Sequence, residues 1–402
     1  MGMFYRNISP TLLRLAQTFP IVGVTGPRQS GKTTIVKELF GDKPYVSLED
    51  PDERGFATED PRGFLKRFED GAIFDEVQRC PNLFSYLQGM VDRDRQPGRF
   101  ILTGSQQFNL LAGISQSLAG RIGMSRLLPL QWSEIKNISD SEASLDKHLL
   151  RGGYPAIYTT HQGTHGQIEN SHDWFASYIT TYIERDIRQL INIREIGSFQ
   201  KFIKLCAGRT GQLINLSALA SEAGITTANA RIWLSALETS DIIYLLTPYH
   251  KNFGKRLVKS PKLYFIDTGL AAWLLGIRNK ETLSLHPMRG ALFESYVVIE
   301  HLKHQYNQGQ AADMYFWRDN NGLETDLVYE ITENIDGQIT QKLQTIEIKS
   351  GATVTSDYIK AGKKSDQFVN DYPTKLQLIY GGENSFQRSG IDFVSWRDLL
   401  CK

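Results

Sequence analysis

The nine residues GPRQSGKTT (26–34) stand between the apolar run PIVGVT (20–25) and the helix-like IVKELF (35–40). Gly26 and Gly31 frame a loop that can curl until its N–H groups converge, and the next helix adds the positive end of its dipole. A loop framed by glycines between a strand and a helix is suited to hold phosphate. Gly26, Pro27, Arg28, Gln29, Ser30, Gly31, Lys32, Thr33 and Thr34 are the candidate nucleotide contacts. Lys32 would reach the β- and γ-phosphates of ATP, and the Thr33 hydroxyl would complete a Mg²⁺ shell.

A second element points the same way. GAIFDEV (71–77) reads as a buried strand ending in two carboxylates. Asp75 can hold Mg²⁺ through water, and Glu76 can orient or deprotonate an attacking water. RFILTGS (99–105) reads as the strand lying between the phosphate loop and the acidic strand, which puts Thr103 or Ser105 beside the γ-phosphate. Arg121, in SLAGR (117–121), is a candidate to neutralise transition-state charge, in cis or from a neighbouring subunit, and Arg28 is a second.

The bulk numbers bound what surrounds this site. A chain of 402 residues exceeds one ordinary core, and 41% hydrophobic with 22% charged residues describes a globular protein. A net charge of +1 excludes a globally basic protein, so nucleic-acid binding would need local patches. Three cysteines, Cys80, Cys206 and Cys401, argue against a disulfide framework or a cysteine-based zinc site and fit a reducing compartment. No secretory leader or membrane-spanning run is apparent, so the expected location is cytoplasmic, with no membrane partner.

Residues 1–140 alternate short apolar strands with helices, the pattern of a parallel sheet. Residues 141–285 begin helical, with Trp174, Tyr178, Tyr182, Ile183 and Ile187 at three- and four-residue spacings. LSALASEAGITTANARIWLSALETSDIIYLL (216–246) then gives two short helices around a Gly-Ile turn and a strand, the order of a winged helix-turn-helix. Residues 286–402 read as a helix, three strands, a helix (356–371) and a strand.

Together, GPRQSGKTT, IFDEVQRCPNLFSYLQGMVD, ILTGSQQFNLLAGISQSLAGR, LRGGYPA, SYITTYIERDIRQL, GALFESYVV, ETDLV and IEIKSG resemble the AAA-type ATPases of archaea and bacteria that carry a C-terminal domain of unknown function, DUF4143. The resemblance spans nearly the whole chain. It implies an α/β fold class in three parts: a P-loop AAA-type ATPase domain on a parallel sheet (1–140), a helical and winged-helix domain (141–285), and an α/β restriction-endonuclease-like domain (286–402). It also implies a homo-oligomeric ring, a hexamer, in which Arg121 would serve a neighbour's site.

Two further constellations bear on function. The segment HKNFGKRLVKSPK (250–262) holds Lys251, Lys255, Arg256, Lys259 and Lys262 with no acidic residue. As a wing it could bind duplex or branched DNA, with Arg231 on the preceding helix; as a solvated loop it would bind nothing. In the last part, Glu294 lies on a helix, Asp326 in ETDLV, and Glu347 and Lys349 share one face of IEIKS. This resembles a PD-(D/E)xK nuclease core, in which Asp326 and Glu347 would hold Mg²⁺, Lys349 would position water and Glu294 would support the site. His301 and His304 read as ordinary surface residues. The expected function is an ATP-hydrolysing protein that remodels, translocates or processes DNA. A second reading is a nucleotide-gated switch or defence regulator whose nuclease-like part only binds, and a third is a protein-interaction module that retains its P-loop for stability.

Overall fold

The computed structural model describes residues 4–105, 118–137, 144–158, 168–187, 196–249, 260–318, 324–335, 338–355, 358 and 374–400. In the first part, β1 (Ile21–Thr25), β2 (Tyr45–Ser47), β3 (Ala72–Asp75), β4 (Phe100–Gly104) and β5 (Ile122–Arg126) form a parallel sheet in the order β2-β3-β4-β1-β5. Every residue of β1, β3 and β4 is buried, as strands covered by helices on both faces must be. Alternate side chains feed two cores. Ile21, Phe74, Phe100 and Leu102 pack on one side, and Val22, Val24, Ile73 and Ile101 on the other.

The strand register decides where the loops meet. Ile21 and Ala72 both align with Phe100, so the carboxyl ends of β1, β4 and β3 lie side by side. Loops leaving these ends converge on one edge of the sheet, where open α/β sheets bind ligands.

The middle part has the element order helix (Ile196–Ala207), β6 (Gln212–Leu213), helices Leu216–Ala223 and Thr227–Thr239, β7 (Ile243–Leu246) and β8 (Lys262–Phe265). The strands pair antiparallel in the order β6-β8-β7. Gly224, at φ 74°, closes the first of the two short helices, and the Thr226 hydroxyl caps the second by accepting the Asn229 N–H at 3.2 Å. Ahead of these elements, the helix Ile168–Tyr178 continues as a π-helix through Ile187.

In the last part a helix, Arg289–Asn307, covers a mixed sheet of β9 (Tyr315–Arg318), β10 (Glu324–Ile335), β11 (Gln338–Lys349), β12 (Thr374–Tyr380), β13 (Phe386–Arg388) and β14 (Ile391–Ser395). The order is β13-β14-β12-β11-β10-β9, with β11, β12 and β14 parallel. Apart from Tyr358, the helix expected over 356–371 lies outside the described residues. The β13–β14 hairpin at the far edge adds to the elements expected from sequence.

One buried cluster runs from Leu128 to Leu399 and takes in the helices of the middle part, Arg289–Asn307 and the last sheet. Within it Glu300 accepts the Trp132 N–H at 2.9 Å, and Lys303 donates to the Leu130 carbonyl and to Glu300, each at 2.9 Å. His301 is not on the surface: it is 4% exposed, and its Nδ1 lies 2.8 Å from the Val297 carbonyl oxygen. Cys80 and Cys206 are buried and unpaired, while Cys401 lies outside the described residues. Among the described residues no helix is long and apolar enough to cross a membrane.

His148 gives this core a pH signature. Its ring meets Trp132 and Tyr296 edge-on and stacks on Trp396. Burial, with Lys303, Arg151 and Arg397 nearby, lowers its pKa from 6.5 to about 3. Below pH 6.5 the unfolded chain therefore takes up a proton that folded His148 refuses, and stability falls as pH drops toward 3. Urea unfolding at pH 7 and pH 5 should show His148→Phe losing about 2 kcal/mol less than the parent protein over that interval. Equal losses in the two proteins would mean that His148 does not titrate across unfolding.

Candidate functional site

The loop after β1 needs its glycines for a geometric reason. Gly26 has φ +148°, and a Cβ there would lie 2.1 Å from the Leu127 carbonyl oxygen. Gly31, at φ +95°, starts the helix Lys32–Leu39. Between them Gln29 also takes a positive φ, 61°. Lys32 turns back over the loop and donates to the carbonyls of Gly26 (3.0 Å) and Pro27 (2.8 Å). Burial lowers its pKa to about 8, against the opposing pull of Glu76 and Asp75.

Arg6 braces this loop from behind. It donates to the carbonyls of Ser30 (2.8 Å) and Leu128 (2.7 Å) and pairs with Glu134 at 3.2 Å. The Ser30 hydroxyl is buried without a hydrogen-bond partner among the described residues.

Across the sheet edge, Asp75 accepts from Thr33 at 2.9 Å, from the Tyr45 hydroxyl at 2.7 Å and from Thr103. Glu76 follows at φ 55°, ψ 44°, a left-handed conformation that a non-glycine residue holds only under constraint. This turn swings its carboxylate out of the strand, where Ser105 (2.9 Å) and Gln78 donate to it. Thr33 and Asp75 are hard oxygen donors in mutual contact, the kind of pair that suits Mg²⁺ beside phosphate oxygens.

The structure thus gathers Lys32, Thr33, Asp75, Glu76, Thr103 and Ser105 at one sheet edge. It does not bring Arg121 there. Arg121 precedes β5, and its carbonyl accepts the N–H of Ile21 at the amino end of β1. That is the opposite edge of the sheet, roughly 15 Å away at 3.3 Å per strand residue. Its guanidinium grips Asp92 with bonds of 2.6 and 2.9 Å. Action of Arg121 in cis is therefore excluded by the strand direction.

Arg28 faces outward, 3.5 Å from Glu49 and over the Tyr182 ring. Trp174 donates to the Gln29 side chain at 3.0 Å, and the Tyr178 hydroxyl lies 3.5 Å from the Arg28 carbonyl oxygen. The loop is therefore touched directly by the aromatic face of the middle part.

A second constellation forms where the middle and last parts meet. Glu294, Asp326, Glu347 and Lys349 come together, joined by Glu324, Tyr264 and Lys262. Glu294 accepts from Tyr264 (2.7 Å) and Lys262 (2.8 Å), and Lys262 also pairs with Glu324. Asp326 accepts the Ile348 N–H at 2.8 Å, and Lys349 pairs with Glu347. Burial, then the charge of Asp326, raises the Glu347 pKa to about 7, and the same two causes raise that of Glu294. For Lys262 burial works against the charge, but Glu294, Asp326 and Glu324 outweigh it and hold the ammonium protonated. Glu294, Glu324 and Asp326 each offer an oxygen within 4.8 Å of the others, a donor set suited to a hard cation.

Lys262 corrects the reading of the basic segment. It is 3% exposed and turned into carboxylates, so it is not a surface contact for DNA. The spacing K-x-Y is the reason: on β8, Lys262 and Tyr264 share the face that meets Glu294. Lys251, Lys255, Arg256 and Lys259 lie outside the described residues. Arg231 is exposed, as are Thr226, Thr227 and Asn229.

Of the residues that sequence reasoning missed, Glu324 was within reach, being two positions before Asp326 and so on the same strand face. Gln78, two residues after Glu76, was also close at hand. Arg6, Tyr45 and Tyr264 carry no local signal, because each acts on a partner at least 24 residues away.

Comparison with known proteins places these sites in sequence families. A model described as an AAA domain matches residues 18–136, one described as domain of unknown function DUF8612 matches 142–281, and domain of unknown function DUF4143 matches 289–399. The uncharacterized proteins Rv2008c of Mycobacterium tuberculosis and Mb2031c of Mycobacterium bovis are each 33% identical over 386 residues, covering 96% of this chain and 81% of theirs. Among solved structures, the Walker-type ATPase paby2304 of Pyrococcus abyssi matches 68% of this chain and 96% of its own, with a TM-score of 0.48 and 15% identity. AMPPCP-bound DnaA from Aquifex aeolicus matches 75% and 90%, with a TM-score of 0.29 and 14% identity.

The crowding at Gly26 is directly testable. Gly26→Ala should weaken binding of a fluorescent ATP analogue about 10- to 100-fold, because the loop must move off the Leu127 carbonyl. An affinity within threefold of the parent protein would show that the loop does not need this conformation.

Proposed function

The chain belongs to the family of these two mycobacterial proteins and itself carries an AAA domain and a C-terminal DUF4143 domain, and from that premise we propose that it hydrolyses ATP to act on DNA. The observation that carries the nucleotide half is the hydrogen-bonded set Thr33–Asp75–Thr103 beside Glu76–Ser105, at the edge where the loop from β1 emerges. In this reading the loop Gly26–Thr34 cradles the phosphates, and Lys32 leaves the carbonyls of Gly26 and Pro27 for the β- and γ-oxygens. Thr33 and Asp75 would hold Mg²⁺, which supplies charge neutralisation for the transferring phosphoryl group. Glu76 accepts a proton from the attacking water, while Ser105 and Gln78 hold its carboxylate in place.

The DNA half rests on the middle and last parts. The helix–strand–helix–helix–strand–strand order suits a winged helix, and Thr226, Thr227, Asn229 and Arg231 stand exposed on its second short helix. Lys251, Lys255, Arg256 and Lys259 would add phosphate contacts. Glu294, Asp326, Glu347 and Lys349 form the nuclease-like site in the same reading, within a restriction-endonuclease-like fold. The working form is a homo-oligomer, a hexameric ring, in which Arg121 leaves Asp92 to reach a neighbour's nucleotide.

A nucleotide-gated switch without translocation is the second reading. The observation favouring it is the direct contact of Trp174, Tyr178 and Tyr182 with Gln29 and Arg28, which ties the loop's shape to the helices behind it.

Phosphate release measured with and without duplex, single-stranded and branched DNA separates the two. A several-fold rise with one form supports action on DNA; slow turnover indifferent to all three supports the switch. Glu76→Gln should keep ATP affinity while slowing release about 10²- to 10⁴-fold, the usual worth of a general base. A Glu76→Gln protein that turns over at the normal rate would remove Glu76 from the mechanism.

A further inference from the structure

The C-terminal carboxylate cage draws its cation from another part of the chain. Glu294 lies on the helix Arg289–Asn307, Glu324 and Asp326 on β10, and Glu347 on β11. Lys262 instead opens β8, whose register ties it to Leu213 of β6 and Leu246 of β7 in the middle sheet. Its ammonium reaches Glu294 at 2.8 Å, Glu324, and Asp326 at 3.9 Å. These are the three carboxylates whose oxygens converge, so the ammonium takes the acceptors a metal ion would need.

The cage has acceptor capacity left over. Glu347 is 5% exposed and faces Asp326 and Glu294, and its Oε2 is buried without a hydrogen-bond partner among the described residues. Lys349 serves the other oxygen of Glu347, and Arg318 serves Glu324 at 3.3 Å. A buried carboxylate oxygen left unserved is costly and marks a place where a further cation or donor is wanted. Among the described residues these four carboxyl groups face two lysines and one arginine, and removing Lys262 would leave them one lysine and one arginine.

We propose that Lys262 is a built-in counter-cation that keeps divalent metal out of the C-terminal cage, so that the cage takes Mg²⁺ or Mn²⁺ only when β8 withdraws the ammonium. The inference rests on the nuclease-like reading of this site and names its regulation: the middle part holds the key to the metal site of the last part. It also gives Glu324, absent from the expected ligand set, a role as metal ligand in the opened state.

The test measures Mn²⁺ binding to the full-length, nucleotide-free protein by the loss of the free-ion electron paramagnetic resonance signal. Lys262→Met should gain one Mn²⁺ per chain at least about tenfold more tightly than the parent protein, and adding Glu347→Gln should abolish the gain. Lys262→Gln is the second variant should Lys262→Met fail to fold, and Lys262→Arg, which keeps the charge, should bind no better than the parent. The proposal falls if neutral variants bind no better, or if the parent protein already binds one Mn²⁺ that Glu347→Gln removes. DNA cleavage with Mn²⁺, assayed in parallel, tells the two readings apart. Lys262→Met that binds Mn²⁺ without cutting DNA keeps the counter-cation and sinks the nuclease, whereas a parent protein that binds and cuts does the reverse.

Discussion

A carboxylate and an ammonium buried side by side on one helix fix where the segment leaving β5 meets the last part. Glu300 and Lys303 are fully committed: the first accepts the backbone N–H of Trp132, and the second donates to the backbone carbonyl of Leu130. Neither charge could stay inside unpaired, so the pair forces the segment leaving β5 to run against the helix Arg289–Asn307. Asn307 extends the same contact through Gln131 and the Thr11 hydroxyl. At 1.5 Å per residue the 19-residue helix is about 28 Å long, and its other end carries Glu294. One rigid element therefore joins the ATPase sheet to the carboxylate cage.

The two constellations are built on opposite electrostatic plans. Around Asp75 and Glu76 the hydrogen-bond donors among the described residues are neutral: hydroxyls of Thr33, Tyr45, Thr103 and Ser105, and the amide of Gln78. Neutral donors orient a carboxylate without cancelling its charge, which here acts on the nearby Lys32 ammonium. Around Glu294, Glu324, Asp326 and Glu347 the donors are chiefly ammonium and guanidinium groups, which cancel the charge they orient. The first arrangement holds its carboxylates by hydrogen bonds from neutral groups, and the second holds them by ion pairs.

How much can be read from the sequence depends on range. The loop GPRQSGKTT is local, and buried strands announce themselves by composition, so the parallel sheet and the meeting of Thr33 with Asp75 come from strand order. The motif of Arg121 gives no strand direction and so leaves action in cis or in trans open; the register of β5 against β1 shows which edge it occupies and removes the first. Lys262 is misread because its neighbours in sequence are basic and apolar, whereas its neighbours in space lie on the helix Arg289–Asn307 and on β10. Arg6 and Tyr45 show the same limit. Each side chain is ordinary where it stands and becomes part of a site only through a fold that brings distant strands to one edge.

The shared interior has a consequence for how such a chain can be assembled over time. Leu128, Leu130, Trp132 and Ile135, at the end of the ATPase part, belong to the same cluster as Ile346, Ile379 and Trp396. A gene fragment ending near residue 140 would present those four side chains to water as a sticky patch. Grafting a new tail onto this ATPase part therefore calls for a tail that fits the Trp132 socket, whose walls include His148 and Trp396.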